Sequence, residues 1–239
     1  MYDVLRKEKV GRGLSTFTAD LQSGETGLYR LDHVHTPRTV VTTKATVSKN
    51  GVYTTSCAEC NEVLSKTAIP AASRISLSKT SFYANGKTQK VTVSVKDSAG
   101  RVIPKTEYTV TGTTSAKNPG TYTVKVAFKS SSKKYAGTKT LIWKIALKGT
   151  QIKSVKAGSK KLTIQWTKQT VGTKGYQIRV STDKNFKKGV RTITINKTKT
   201  TSVVVKKLKA RKKYYVRIRT YNGKYYSAWS TPKSVKVKG

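Results

Sequence analysis

The sequence predicts an all-β chain: two tandem β-sandwiches behind a small β-hairpin that carries a zinc-knuckle-like Cys-x-x-Cys. Three observations predict it. Apolar residues recur at every second position in short runs, the period of a half-buried strand. Thr, Val and Tyr crowd those runs, while Gly and Asn turn signals separate them. The chain of 239 residues is 36% hydrophobic, enough for small cores but not for one large one. No apolar run approaches the roughly 18 residues of a membrane-spanning helix.

Four segments follow from this pattern. Residues 1–30 are broken by Gly11, Gly13, Gly24 and Gly27 and read as an irregular remnant or tail. Their start lacks the apolar stretch of a signal peptide, so the chain is read as a piece of a longer exported protein with a domain upstream. Residues 31–72 form a small Cys/His hairpin, with strands over 39–47 and 52–56 and Asn50-Gly51 as the hairpin turn.

Residues 73–148 contain candidate strands at 75–77, 91–96, 108–111, 120–128 and 139–145. In the fourth, Tyr122, Val124, Val126 and Phe128 share one face, and Thr121, Thr123 and Lys125 the other. Residues 149–239 repeat the alternation: Leu162, Ile164 and Trp166; Tyr176, Ile178 and Val180; Ile193 and Ile195; Val203 and Val205; Tyr214, Val216 and Ile218; Val235 and Val237. The joint at Lys148-Gly149-Thr150 is short and predicts a limited hinge.

Two resemblances attach to these residues. Ser81-Phe82-Tyr83-Ala84-Asn85-Gly86, the run from Val91 to Asp97, Glu107-Tyr108-Thr109-Val110, Asn118-Pro119-Gly120-Thr121-Tyr122 and Tyr135-Ala136-Gly137-Thr138 appear in the order shown by bacterial immunoglobulin-like repeats of Gram-positive surface proteins. The last segment resembles a fibronectin type III domain. Trp166 stands where that family buries a Trp, Leu208 and Tyr214 match its tyrosine corner, and Ser227-Ala228-Trp229-Ser230 matches its entry to the last strand. The resemblance implies an extracellular or cell-wall-associated spacer or adhesion region.

Chemistry gathers in one place. His33, His35, Cys57 and Cys60 hold both histidines and both cysteines of the chain. A Cys-x-x-Cys knuckle with a second pair on a facing strand is a four-ligand set for tetrahedral zinc, closed and therefore structural. A Cys57–Cys60 disulfide, or two thiols beside histidines on a loose loop, fits the same residues. Small modules preceding immunoglobulin-like repeats are similar, with a Cys-x-His where this chain has His33-Val34-His35 and a Lys-Asn-Gly turn kept as Lys49-Asn50-Gly51.

Residues 73–239 contain no His or Cys, and only Asp97, Glu107 and Asp183 as acids. Nucleophile–base pairs, paired carboxylates and carboxylate calcium sites lack their members, so no enzyme is expected.

Charge sets the expected partner. Lys and Arg total 49 against 10 Asp and Glu, a net +39, of which residues 1–72 contribute +2, 73–150 +13 and 151–239 +24. Such a field concentrates polyanions. Strand alternation places Tyr215, Arg217, Arg219 and Tyr221 outward, with Arg179 and Gln177 on the neighbouring strand. This face is the expected ligand-binding platform for an anionic cell-wall polymer or glycan, since Arg forks pair with phosphate and carboxylate. An ordinary solvated face of laterally packed Tyr and Arg is the plainer alternative. Nucleic acid, or the host surface touched by a phage virion protein, are the other expected partners.

Overall fold

The computed structural model describes residues 2–3, 8–9, 21–30 and 34–239. Near the N-terminus, β1 (Tyr2–Asp3), β2 (Glu8–Lys9) and β3 (Tyr29–Arg30) pair antiparallel in the order β2-β1-β3. These short pairings fall in a stretch that the sequence presents as irregular.

The small module is a three-stranded antiparallel sheet of β4 (Pro37–Thr43), β5 (Gly51–Cys57) and β6 (Val63–Ile69). Its third strand is absent from the hairpin expected on sequence. The turn also differs. Thr43 pairs with Val52, so residues 44–50 form a wide connection rather than an Asn50-Gly51 two-residue turn. The reason is tertiary: Ala45 leaves the hairpin to bond Lys134 and Ala136 through its backbone, at 2.8 Å each. Gly51 lies against this excursion. A Cβ there would sit 2.4 Å from the Ala45 nitrogen and the Thr43 oxygen, so only glycine fits. Asn50 is used instead as a clamp, its Oδ1 accepting the Ala71 N–H at 2.8 Å.

The first sandwich runs from β7 (Arg74–Leu77) through β8 (Ser81–Tyr83), β9 (Gln89–Lys90), β10 (Val93–Lys96), β11 (Tyr108–Gly112), β12 (Ser115–Ala116) and β13 (Gly120–Phe128) to β14 (Thr138–Ala146). One sheet has the order β11-β13-β14-β8, with β8 parallel to β14. The β7–β10 and β9–β12 pairs form the other layer. Val124 and Val126 are fully buried and Thr121, Thr123 and Lys125 exposed, as alternation requires. Trp143 is fully buried and donates its indole N–H to the Thr113 carbonyl at 2.7 Å.

This core does not stop at the segment boundary. Ala45, Ile69 and Ala72 join Ile75, Val95, Ile103 and Val126 in one apolar cluster, with Val41 and Tyr53 packed against it. A sheet of three short strands cannot bury enough surface alone. It is completed by leaning on the sandwich.

The second sandwich packs β15 (Ile152–Gly158), β16 (Lys161–Trp166) and β19 (Ser202–Val205) against β17 (Gly175–Ser181), β18 (Arg191–Ile195), β20 (Lys213–Asn222), β21 (Tyr225–Tyr226) and β22 (Lys233–Lys236). Leu162, Ile164, Trp166, Tyr176, Ile178, Val180, Val216 and Ile218 are essentially inaccessible. Each such side chain contributes about 1.5–3 kcal/mol by leaving water. Trp166 and Tyr176 meet edge-on at 5.3 Å. The Tyr214 hydroxyl accepts the Lys209 N–H at 3.1 Å, closing the tyrosine corner beside buried Leu208.

The joint between the sandwiches is tied rather than loose. Thr150 is buried and its hydroxyl bonds the Thr167 carbonyl, while the Thr220 hydroxyl donates to the Lys148 carbonyl at 2.9 Å. Further out, Gly172 (φ +70°) lies so close to the first sandwich that a Cβ would come within 2.7 Å of Ala84 Cβ and 3.2 Å of Pro119. The Asn222 side chain holds that loop through the Gly172 carbonyl at 2.6 Å. Gly172→Val should therefore leave both sandwiches folded but loosen their docking. Small-angle X-ray scattering is expected to show a broader distance distribution; an unchanged curve would mean that this contact does not set the angle.

Candidate functional site

Two places gather functional side chains. The first is the end of the small module. Register sets Pro37 opposite Cys57, so His35, two residues upstream, falls beside the knuckle. The knuckle closes because Asn61 adopts φ +59° and donates its N–H to the Cys57 carbonyl at 3.0 Å, while the Cys57 N–H reaches the Glu62 carbonyl at 2.9 Å. The side-chain donors of His35, Cys57 and Cys60 then all lie within 4.8 Å of one another. Cys60 Sγ is 3.7 Å from His35 Nδ1. Both cysteines are thiols, Cys57 buried and Cys60 exposed. His33, the fourth residue expected here, lies outside the described residues.

Carboxylates frame the cluster. Glu62 Oε2 approaches His35 Nε2 at 3.3 Å, leaving Nδ1 turned to Cys60. The Cys57 thiol donates to Glu59 Oε2 at 3.0 Å. That bond and one from Thr36 pull the Glu59 carboxyl down to about 2. At Cys60, a backbone hydrogen bond at Glu62 favours the thiolate. Desolvation and neighbouring Cys57 outweigh it and hold the thiol above its ordinary value. Two sulfurs, an imidazole and flanking carboxylates form a soft, cation-seeking group in an otherwise basic chain.

The second place is the outer face of β17 and β20. The register sets Gln177 opposite Arg219, Arg179 opposite Arg217, Ser181 opposite Tyr215 and Gly175 opposite Tyr221. Arg179, Tyr215, Arg217, Arg219 and Tyr221 are all half-buried on this one face. The arginines are interleaved with rings. Trp229 lies 5.0 Å from the Arg179 guanidinium, 4.7 Å from that of Arg217 and 4.3 Å from that of Arg219. Arg217 also stacks on Phe186 at 4.2 Å, and Arg219 on Tyr226 at 3.8 Å. Arg219 forks onto Gln177 Oε1 at 2.9 and 2.5 Å. Tyr215 sits under Lys213, and the Tyr221 hydroxyl bonds Asn196.

Among the described residues, no carboxylate pairs with the three guanidiniums. Asp183, the one acid of residues 151–239, is spent on a loop, accepting N–H groups from Asn185, Lys187 and Lys188 at 2.9, 2.7 and 3.1 Å. Burial, and then Arg179, push the Arg217 guanidinium below its ordinary value. Burial likewise lowers Arg219, with Arg179 and Arg217 adding repulsion. The Nε atoms of Arg179 and Arg217 are buried without hydrogen-bond partners.

Alternation identified the Tyr and Arg of this face, but not Trp229, Phe186 or Tyr226. Trp229 arrives there because the Ser-Ala-Trp-Ser segment runs beside β20 with its serines turned in. Ser227 Oγ accepts the Thr220 N–H at 3.0 Å and Ser230 Oγ the Ile218 N–H at 3.1 Å. The spacing of two buried serines around an outward Trp was the available signal.

The family models agree with this architecture. Residues 149–236 match the family model of the fibronectin type III domain, and residues 85–139 that of the bacterial Ig-like domain (group 3). The chain is thus an all-β protein with an Ig-like sandwich followed by a fibronectin type III sandwich. No curated protein matches it. Among solved structures, the FN1-FN3 domains of chicken CNTN1 are 14% identical, covering 80% of this chain and 78% of that one, with a TM-score of 0.35. A β-1,2-glucanase from Parabacteroides distasonis is 15% identical, with 48% and 17% covered and a TM-score of 0.35. The fn3 domain of human contactin 1 is also 15% identical, with 38% and 77% covered and a TM-score of 0.35.

Trp229→Ala would remove the ring between three like charges. The unfolding free energy should fall by about 2 kcal/mol or more, from lost packing and released repulsion. The loss should grow as salt is lowered and repulsion is less screened. Urea titrations at two ionic strengths measure both parts.

Proposed function

We propose that this chain is a non-catalytic extracellular spacer and adhesion region of a bacterial surface protein, with the β17/β20 face contacting an anionic cell-wall polymer or glycan. Ig-like and fibronectin type III domains are commonly extracellular spacers or adhesion modules. No helix among the described residues is long and apolar enough to cross a membrane. The carrying observation is the set of three ring-stacked guanidiniums without a counter-charge among the described residues. Their mutual repulsion is uncompensated within the domain, and a phosphate or carboxylate drawn to their edges would relieve it. The remaining charge of residues 151–239 surrounds them with like sign and steers polyanions from a distance.

Arg179→Ser, Arg217→Ser and Arg219→Ser together are expected to weaken binding to purified teichoic acid by about tenfold or more, as loss of one charged hydrogen bond already corresponds to that factor. Undiminished affinity in a folded triple variant overturns the platform. DNA binding would also weaken with salt, so a direct competition between DNA and teichoic acid separates the two polyanions.

The cluster at His35 serves the same spacer role by holding the small module together with one structural zinc ion. Zinc–sulfur bonds of about 2.3 Å and zinc–nitrogen bonds of about 2.1 Å put neighbouring ligand atoms of a tetrahedron roughly 3.6–3.8 Å apart. The 3.7 Å between Cys60 Sγ and His35 Nδ1 matches that edge. Glu62 on the far imidazole nitrogen is the carboxylate that fixes the ring of a metal-bound histidine. His35, Cys57 and Cys60 supply three donors, and His33 is the expected fourth. Elemental analysis should find one zinc per chain, lost in Cys57→Ser, and chelation should lower the melting temperature. Metal-free chain of unchanged stability would refute it.

A further inference from the structure

A cleft of about 620 Å³ opens between the small module and the first sandwich, far in sequence from the arginine face. Its floor is the β4–β5 sheet at Thr39 and Tyr53, and its wall is the loop from Ser130 to Lys134. The wall is built in place. Lys44 donates its ammonium to the Ser130 carbonyl at 3.3 Å, and the Ala45 N–H bonds the Lys134 carbonyl at 2.8 Å. Buried Ser132 accepts the Tyr135 N–H at 3.1 Å, which sets the loop's turn.

The lining has a consistent chemistry. Lys44, Lys133 and Lys134 bring three ammonium groups, and no acid is among the lining residues. Lys134 lies over the Tyr53 ring at 5.9 Å, and its bond to the Tyr53 hydroxyl raises its affinity for a proton. Glu107 is the carboxylate that Lys134 feels, more weakly than Tyr53. Thr39, whose hydroxyl pairs with that of Thr55 at 2.8 Å, and Ser130, Ser131 and Ser132 share the lining, and the Tyr53 ring and Val40 add apolar surface.

We infer that this cleft binds a phosphate-bearing sugar or polyol, with the ammoniums of Lys44, Lys133 and Lys134 on the phosphate and the hydroxyls and Tyr53 ring on the carbon skeleton. Ammonium is a strong point-charge partner for phosphate, and a sugar or polyol needs the mixture of hydroxyl partners and one aromatic surface that the cleft offers. The inference deepens the proposed contact with anionic polymer by naming a unit of it. It uses none of the residues of the arginine face, so the two stand or fall separately.

Glucose 6-phosphate and glycerol 1-phosphate titrated into the isotope-labelled full chain, with amide shifts followed by NMR, test it. Shifts are expected at Tyr53 and residues 130–134 for both. Glucose and inorganic phosphate should bind more weakly by about tenfold or more, each lacking one half of the recognised group. Lys133→Ser with Lys134→Ser should weaken the esters by a similar factor, while Arg179→Ser, Arg217→Ser and Arg219→Ser should leave these shifts unchanged. Inorganic phosphate as effective as the esters, shifts spread over the whole basic surface, or a short single-stranded DNA that displaces the esters at lower concentration would each overturn the assignment.

Discussion

The structure depends on a shortage of carboxylates. With 49 basic and 10 acidic residues, the fold cannot pair most of its cations with anions: exposed heads stay in water, and those drawn against the surface need other partners. Rings and carbonyls take that part. Arg179, Arg217 and Arg219 lie on Trp229, Phe186 and Tyr226. Arg191 donates to the Lys206 carbonyl at 2.6 Å and Lys233 to the Lys153 carbonyl at 2.8 Å. Buried Asp97 is fully paired, whereas Glu107 keeps a buried Oε2 without a hydrogen-bond partner. Asp97 is almost inaccessible. Burial alone would raise its carboxyl, but the Arg101 N–H and guanidinium overcome this and hold it below its usual range. A group with a depressed folded value stabilises at neutral pH and loses that contribution as acid titrates it.

This constraint shapes the sandwiches. A strand face that carries Lys and Arg cannot turn inward without the cost of burying charge. Alternation is therefore unusually clean, and the two cores contain no basic residue. The same constraint leaves the exterior without internal neutralisation.

How far the residues foretold this depends on the range of the interaction. The strand Gly120–Phe128 was legible to its ends because its alternation is local. So were buried Trp166 and Tyr214, which recur at fixed offsets along their strands. The Cys57–Cys60 knuckle was legible from spacing, and His35 is brought to it by the β4–β5 register. What could not be read are contacts between distant segments. Ala45 was expected to continue a strand, but its bonds to Lys134 and Ala136 take it elsewhere, and the hairpin turn widens with it. Strand β6 carries an almost wholly exposed pattern, so no period marked it. Phe186 stands under Arg217 because of a loop organised by Asp183, which no hydrophobic pattern encodes.

The small module shows how these ranges combine. Outer strands β4 and β6 are almost wholly exposed, central β5 is buried at Gly51, Thr54 and Cys57, and Ala45 and Ile69 join the core of the first sandwich. At the sandwich-facing end the sheet is held by backbone contacts of Ala45 and Gly51, the Asn50 side chain on the Ala71 N–H, and buried Ile69. At the far end, β4 and β5 finish at Pro37 and Cys57, and Cys57 is fully buried. A metal clasp at His35, Cys57 and Cys60 would add a tie at this end. The β4–β5 sheet and the Ser130–Lys134 loop both line the cleft, so its shape depends on the shared apolar cluster that joins the module to the sandwich.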